Sequence, residues 1–161
     1  MESTIEIRPL VENDDMDDLI KLSKDFFKEY ESNHEFFFNI EQLNDKDIIG
    51  YFSNWFNQED KVAYIAIDDQ KIIGYITAYI MNQPDFWEIK RVGHVSGLMV
   101  DSSMRRKGIA KELMLSAVSF FKARDVKYYT LFTSSNNSKA IKFYESFGMN
   151  PLYTHYLGSI Q

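Results

Sequence analysis

Apolar and polar residues alternate from Ile5 to Leu10, and the run ends on Pro9-Leu10, which predicts a first strand at a sheet edge. The period then lengthens. Met16, Leu19, Ile20, Leu22, Phe26 and Phe27 recur at helical spacing behind Asn13 or Asp14, either of which can cap a helix. After an aromatic connection, His34 to Asn39, a second helix is expected from Ile40 to Phe56, with Leu43, Ile48, Tyr51, Phe52, Trp55 and Phe56 inward. Lys61 to Ile67 and Ile72 to Met81 predict a hairpin around Asp68-Asp69-Gln70-Lys71, with both faces of its strands covered. Pro84 marks a loop, and Trp87 to Val100 predicts another strand, irregular near Gly93 and Gly97. Ile109, Leu113, Ala117, Phe120 and Phe121 share one face of a helix expected from Arg106 to Arg124. A strand from Lys127 to Thr133, a capping-rich loop, a helix from Lys139 to Phe147 stopped by Gly148, and a last strand from Tyr153 to Ile160 complete the order. The pattern describes one α/β (α+β) domain over residues 1–161 with a mixed sheet.

Composition narrows the chemistry. A hydrophobic content of 45% supports a filled core in a chain of this length. The absence of cysteine excludes disulfides, thiolate metal sites and a cysteine nucleophile. His34, His94 and His155 lack ligand spacing, so no metal site is expected. No apolar run approaches the ~20 residues of a membrane span, and the N-terminus lacks a signal-peptide pattern; a cytoplasmic protein is the expectation. The net charge of −6 is uneven: Glu12 to Asp47 holds twelve acids and four lysines, a balance of −8 that leaves +2 elsewhere. That balance argues against nucleic acid as a partner. It suits either a cationic acceptor or simply a solvated helix face.

One stretch carries more than fold. An apolar strand stops at Val100-Asp101, and Arg105-Arg106-Lys107-Gly108-Ile109-Ala110 then opens a helix. First-turn amides have no intrahelical partner, the helix dipole adds positive potential, and glycine lets a bulky anion approach the backbone. The competing reading is a solvated basic turn.

Leu98-Met99-Val100 followed by Arg105-x-x-Gly108-x-Ala110 resembles the acyl-CoA pyrophosphate motif of the GNAT superfamily of N-acyltransferases. Asn137-x-x-Ala140-x-x-Phe143-Tyr144-Glu145-x-x-Gly148 resembles that superfamily's second motif, and the element order resembles its fold, including Ile73-Gly74-Tyr75 near the start of the third strand. The resemblance implies a mostly antiparallel, twisted sheet of about six to seven strands, splayed between the fourth and fifth. It implies acetyl-CoA as donor and amides from Arg105 to Ala110, through Arg106, Lys107, Gly108 and Ile109, holding the pyrophosphate. It also implies Leu98, Met99 and Val100 lining the pantetheine arm, with a bulge at Gly97. A homodimer is compatible with it.

The resemblance further makes Tyr144 the group that protonates the departing sulfur, although its helical spacing with Ala140 and Phe143 also fits a packing face. Asn137 is matched to a contact with the CoA arm and competes with a helix cap. For the base, His94 stands on the strand entering the site; Glu88 or a water chain are the alternatives, and a locally satisfied strand histidine is the bland one. The function implied is acetyl transfer to a primary amine of a small molecule, polyamine, aminoglycoside or peptide by direct attack. The alternative is a catalytically weak CoA-binding sensor.

Overall fold

A computed structural model describes residues 4–33 and 36–160. His34, where the aromatic connection was expected to begin, lies outside them. Glu6–Pro9 forms the edge strand β1, and Lys61–Asp68, Lys71–Asn82 and Arg91–Val100 form β2, β3 and β4, all antiparallel in that order. Tyr129–Leu131, β5, joins β4 in parallel. The β2–β3 hairpin closes on Asp69 and Gln70, at φ 47° and 65°, the two left-handed positions that match the twist of the flanking strands.

Local chemistry sets the helix boundaries. In α1, Met16–Glu31, the cap is Asp15, because Asp14 is held instead by Arg8 at 2.5 and 2.9 Å and by the Val11 amide. In α2, Asp45–Ser53, a capping box between Asn44 and Asp47 starts the helix later than the apolar period suggests. A 3₁₀ turn, Ser102–Met104, precedes α3, Ile109–Lys122; α4 spans Ser138–Glu145 and is followed by Gly148 at φ 77°.

The helices cover both sheet faces, as the apolar hairpin strands require. On one face α3 packs Leu113, Met114 and Ala117, all fully buried, against Ile76, Ala78 and Val95. On the other, Leu19 and Leu22 of α1 and Phe52 of α2 pack against Ile65, Tyr75 and Met99. Gly93 admits this packing: a Cβ there would lie 2.6 Å from the ring of Phe121.

The expected last strand does not form. Residues 149–160 have no regular structure, and Leu152, Tyr153, Tyr156 and Leu157 are exposed. The three residues of β5 offer a short edge for pairing, and the apolar residues beyond it come in pairs without strict alternation. The sheet therefore has five strands among the described residues, against an expected six to seven. Tyr51, expected inward, is 42% exposed.

Candidate active site

β4 carries one extra residue. Thr77 faces Gly97 and Ala78 faces Val95, so Ser96 is unmatched and β4 bulges at Ser96-Gly97, where a glycine suggested it. Gly97 sits close enough to β3 that a Cβ would lie 3.2 Å from the Thr77 hydroxyl. The bulge also ends the contact with β5: Gly93, His94 and Val95 pair with Tyr129, Thr130 and Leu131, and β4 then continues to Val100 paired with β3 alone. The two parallel strands diverge there.

The gap is a cleft of about 390 Å³. Leu98, Met99 and Val100 form one wall, Leu131 to Ser134 the opposite one, Phe26, Glu29 and Tyr30 of α1 a third, and Ala140, Phe143 and Tyr144 of α4 the fourth. Arg105, Ala110 and Asn137 border it as well. Two contacts fasten α1 across it, Glu29 to Arg105 at 2.5 Å and Asn33 to Ser134 at 2.8 Å.

At one end stands the start of α3. Side chains cap α1, α2 and α4, through Asp15, Asn44 and Asn137, whereas α3 begins at Gly108 without a side-chain cap. Gly108 has φ 82°, Arg106 has φ 65°, and a Cβ at Gly108 would meet nothing within 4 Å. Left-handed backbone at Arg106 and Gly108 turns the loop sharply into the helix, the kind of conformation from which anion nests are built. Asp101 anchors its near side by accepting from the Ser103 amide and hydroxyl, and these bonds hold its carboxyl below the usual carboxylate range. An open, uncapped helix start with space above its glycine fits a pyrophosphate. Arg105 points elsewhere: its Nε donates to the Val100 carbonyl and its guanidinium pairs with Glu29.

Tyr144 is half-buried in the cleft wall, and burial, with a small contribution from Tyr30, pushes its hydroxyl up to about 12. No hydrogen bond to that hydroxyl is made among the described residues. Asn137 accepts from the Ala140 amide at 3.1 Å, the capping role, while also facing the cleft.

His94 is 6% exposed and packs between the rings of Tyr79 and Phe132, each 5.2 Å away. Its Nδ1 lies 2.9 Å from the Thr130 hydroxyl, and burial lowers its pKa. It stands two residues from the bulge and is not among the residues lining the cleft. Glu88 is exposed on the turn between β3 and β4, not on a strand, and is likewise outside the lining.

Sequence reasoning missed a hydroxyl triangle. Thr77, fully buried, lies 2.8 Å from the Ser96 hydroxyl, and Tyr51 of α2 reaches both at 3.1 and 3.2 Å. The placement of Tyr51 on the apolar stripe of α2 hid this role; the bulge that turns Ser96 toward it has no signature beyond the neighbouring glycine. The acidic segment also reads differently in three dimensions. Asp18 accepts from the Ile72 amide, Glu31 from the Ile40 amide, Asp45 pairs with Lys24, and Glu29 with Arg105. These acids serve the fold.

The layout, a splayed sheet with an uncapped helix start at one end of the splay, defines an acyltransferase architecture, and comparison agrees. Residues 16–149 match the Acetyltransferase (GNAT) family, and the chain belongs to it. It is thereby an acetyltransferase with acetyl-CoA as co-substrate. It is 27% identical to N-alpha-acetyltransferase 30 of Schizosaccharomyces pombe over 132 residues, covering 77% of this chain and 86% of the relative. Among solved structures, a variant of the BH1408 protein from Bacillus halodurans superposes with a TM-score of 0.85 at 20% identity, covering 97% of this chain and 99% of the other. The aminoglycoside N-acetyltransferase AAC(6')-Iy, solved in complex with CoA, superposes with a TM-score of 0.79 at 17% identity, covering 100% and 97%.

Proposed function

We propose that this chain transfers an acetyl group from acetyl-CoA to a primary amine by direct attack, with Tyr144 as the acid and His94 as the base. The observation that carries the reading is the single cleft that joins the uncapped start of α3 to Tyr144 along the free edge of β4. The names of its relatives point the same way, since protein α-amines and aminoglycosides both present primary amines.

Acetyl-CoA supplies an activated thioester carbonyl. The amides from Arg105 to Ala110 hold its pyrophosphate, each charge-assisted bond contributing about 1.5–3 kcal/mol. The edge of β4 from Leu98 to Val100, unpaired on the β5 side, aligns the pantetheine arm. A free alkylamine, with pKa near ~10.4, arrives as a cation and must lose a proton before it attacks. His94, kept neutral by burial, takes that proton through water. The amine nitrogen bonds to the carbonyl carbon, the carbon–sulfur bond breaks as Tyr144 gives its proton to the departing sulfur, and the extra proton left on the nitrogen passes through water to the tyrosinate, which restores the phenol and leaves the amide. A tyrosine whose burial disfavours the phenolate holds that proton until the sulfur charge develops. The chain lacks cysteine, so no thiol acyl-enzyme intervenes.

The test is CoA release from acetyl-CoA with a panel of primary amines. Amine-dependent release is expected. Acetyl-CoA binding without release by any amine would leave a CoA-binding module in place of an enzyme.

A further inference from the structure

The cleft reaches β4 at the Ser96 bulge, and the Ser96 hydroxyl is bonded in turn to Tyr51 and Thr77, which stand behind the lining. The groups there are neutral. Ser96 is exposed, Tyr51 is 42% exposed, and their hydroxyls lie 3.2 Å apart above the buried Thr77. Beside them runs an unbroken row of rings. Tyr51 touches Trp55 at 5.6 Å, Trp55 meets Tyr79 at 6.2 Å, and His94 follows at 5.2 Å. The row reaches Phe132, which lines the cleft and is 62% exposed, and passes on to Tyr153 of the C-terminal segment at 6.4 Å. Even with Tyr153 beside it, the Phe132 ring keeps most of its apolar surface open toward the cleft.

Charge points in the same direction. The acid lining the cleft, Glu29, is already paired with Arg105, while Arg105 and Lys139 also line it. At the Trp55 end of the row, Lys61 Nζ lies 5.9 Å from the ring centroid. A polycationic acceptor would meet cations there and no free carboxylate among the cleft-lining residues.

From this juxtaposition of hydroxyls and an open aromatic face we infer that the acceptor is a monoamine carrying an apolar or aromatic group next to its nitrogen, seated on Phe132 with its nitrogen at Ser96 and Tyr51. The inference rests on the acetyltransfer reading above and assigns the substrate class of the same site. Ser96 and Tyr51 accept hydrogen bonds from the arriving ammonium and orient its nitrogen, and the proton leaves through water to His94. A free arylalkylamine and a peptide whose first residue is apolar share this chemistry, and two arms of the test separate them.

The experiment compares kcat/KM for phenethylamine, a peptide amide beginning with phenylalanine, spermidine and an aminoglycoside, in wild type and in Phe132→Ala and Tyr51→Phe. An apolar amine is expected to exceed both polycations by about tenfold or more. Phe132→Ala is expected to raise its KM about tenfold, the loss of one aromatic contact with its buried area, while acetyl-CoA affinity stays unchanged. Tyr51→Phe keeps the ring and is expected to lower kcat several-fold. Preference for spermidine or the aminoglycoside, or an unchanged KM in Phe132→Ala, overturns this inference and leaves acetyltransfer standing. Failure of every amine overturns both.

Discussion

Gly93 and Gly108 resist substitution for different reasons. At Gly93 a methyl group would lie 2.6 Å from the Phe121 ring, itself 2% exposed and unable to retreat. Gly93→Ala should therefore lower stability by about 1–3 kcal/mol, read as a fall in melting temperature. At Gly108 there is room for a side chain, but φ 82° strains an L-residue and the side chain would fill the space an anion needs. Gly108→Val should weaken acetyl-CoA binding about tenfold and more than Lys107→Ala does; the reverse order in a binding titration would put side-chain charge ahead of the backbone cradle. Tyr144 makes no protein hydrogen bond among the described residues, so Tyr144→Phe should leave melting and acetyl-CoA affinity alone while lowering kcat on the order of 10²-fold. His94 gives a pH signature. Burial lowers its pKa in the folded chain, so the unfolded chain binds the proton more readily. Its contribution to stability is complete above about pH 6.5 and is lost as the pH falls through the folded value. His94→Phe should flatten denaturation midpoints measured across that window.

At the scale of elements, the helix and strand periods are largely legible, and what they miss has a definite physical cause. The stripe of α3 is read correctly because Ile109, Leu113 and Ala117 face one sheet and nothing competes with that period. α2 is shorter than its stripe because Asn44 and Asp47 satisfy each other's backbone groups and fix the start. The last expected strand fails because strand formation needs a partner edge, which is a property of the sheet and not of the Tyr153–Ile160 pattern. The same limit applies to the site. Gly97 marks the bulge, and the glycine after the basic run marks the helix start. The neighbours that make Ser96 and Tyr51 a pair come from strands and helices far apart in sequence. Asn137 joins the two levels, because it caps α4 and faces the cleft. Asn137→Ala should cost about 1 kcal/mol of stability. Asn137→Ser should restore the cap, and a loss of acetyl-CoA affinity that persists in it would show that the amide side chain also contacts the cofactor.

Over the whole molecule, the sheet divides the work. The α3 face supplies the buried core that holds β4 rigid, and the α1–α2 face carries the aromatic row and the hydroxyls. Several acids of the charged segment are engaged by the fold, Asp18 and Glu31 by backbone amides and Asp45 by Lys24, so composition alone does not place them at the cleft. The proposed site lies where the two faces meet, at the divergence of β4 and β5. The central claim is that this divergence holds acetyl-CoA for attack by an amine. The most direct measurement follows one reaction mixture by mass spectrometry and thiol titration, with acetyl-CoA and an amine acceptor, in wild type and Tyr144→Phe. Equal amounts of acetylated amine and free CoA from the wild type, and a rate reduced on the order of 10²-fold in the variant at unchanged acetyl-CoA affinity, are the predicted result. CoA release without acetylated amine, or a variant as fast as the wild type, would contradict the account.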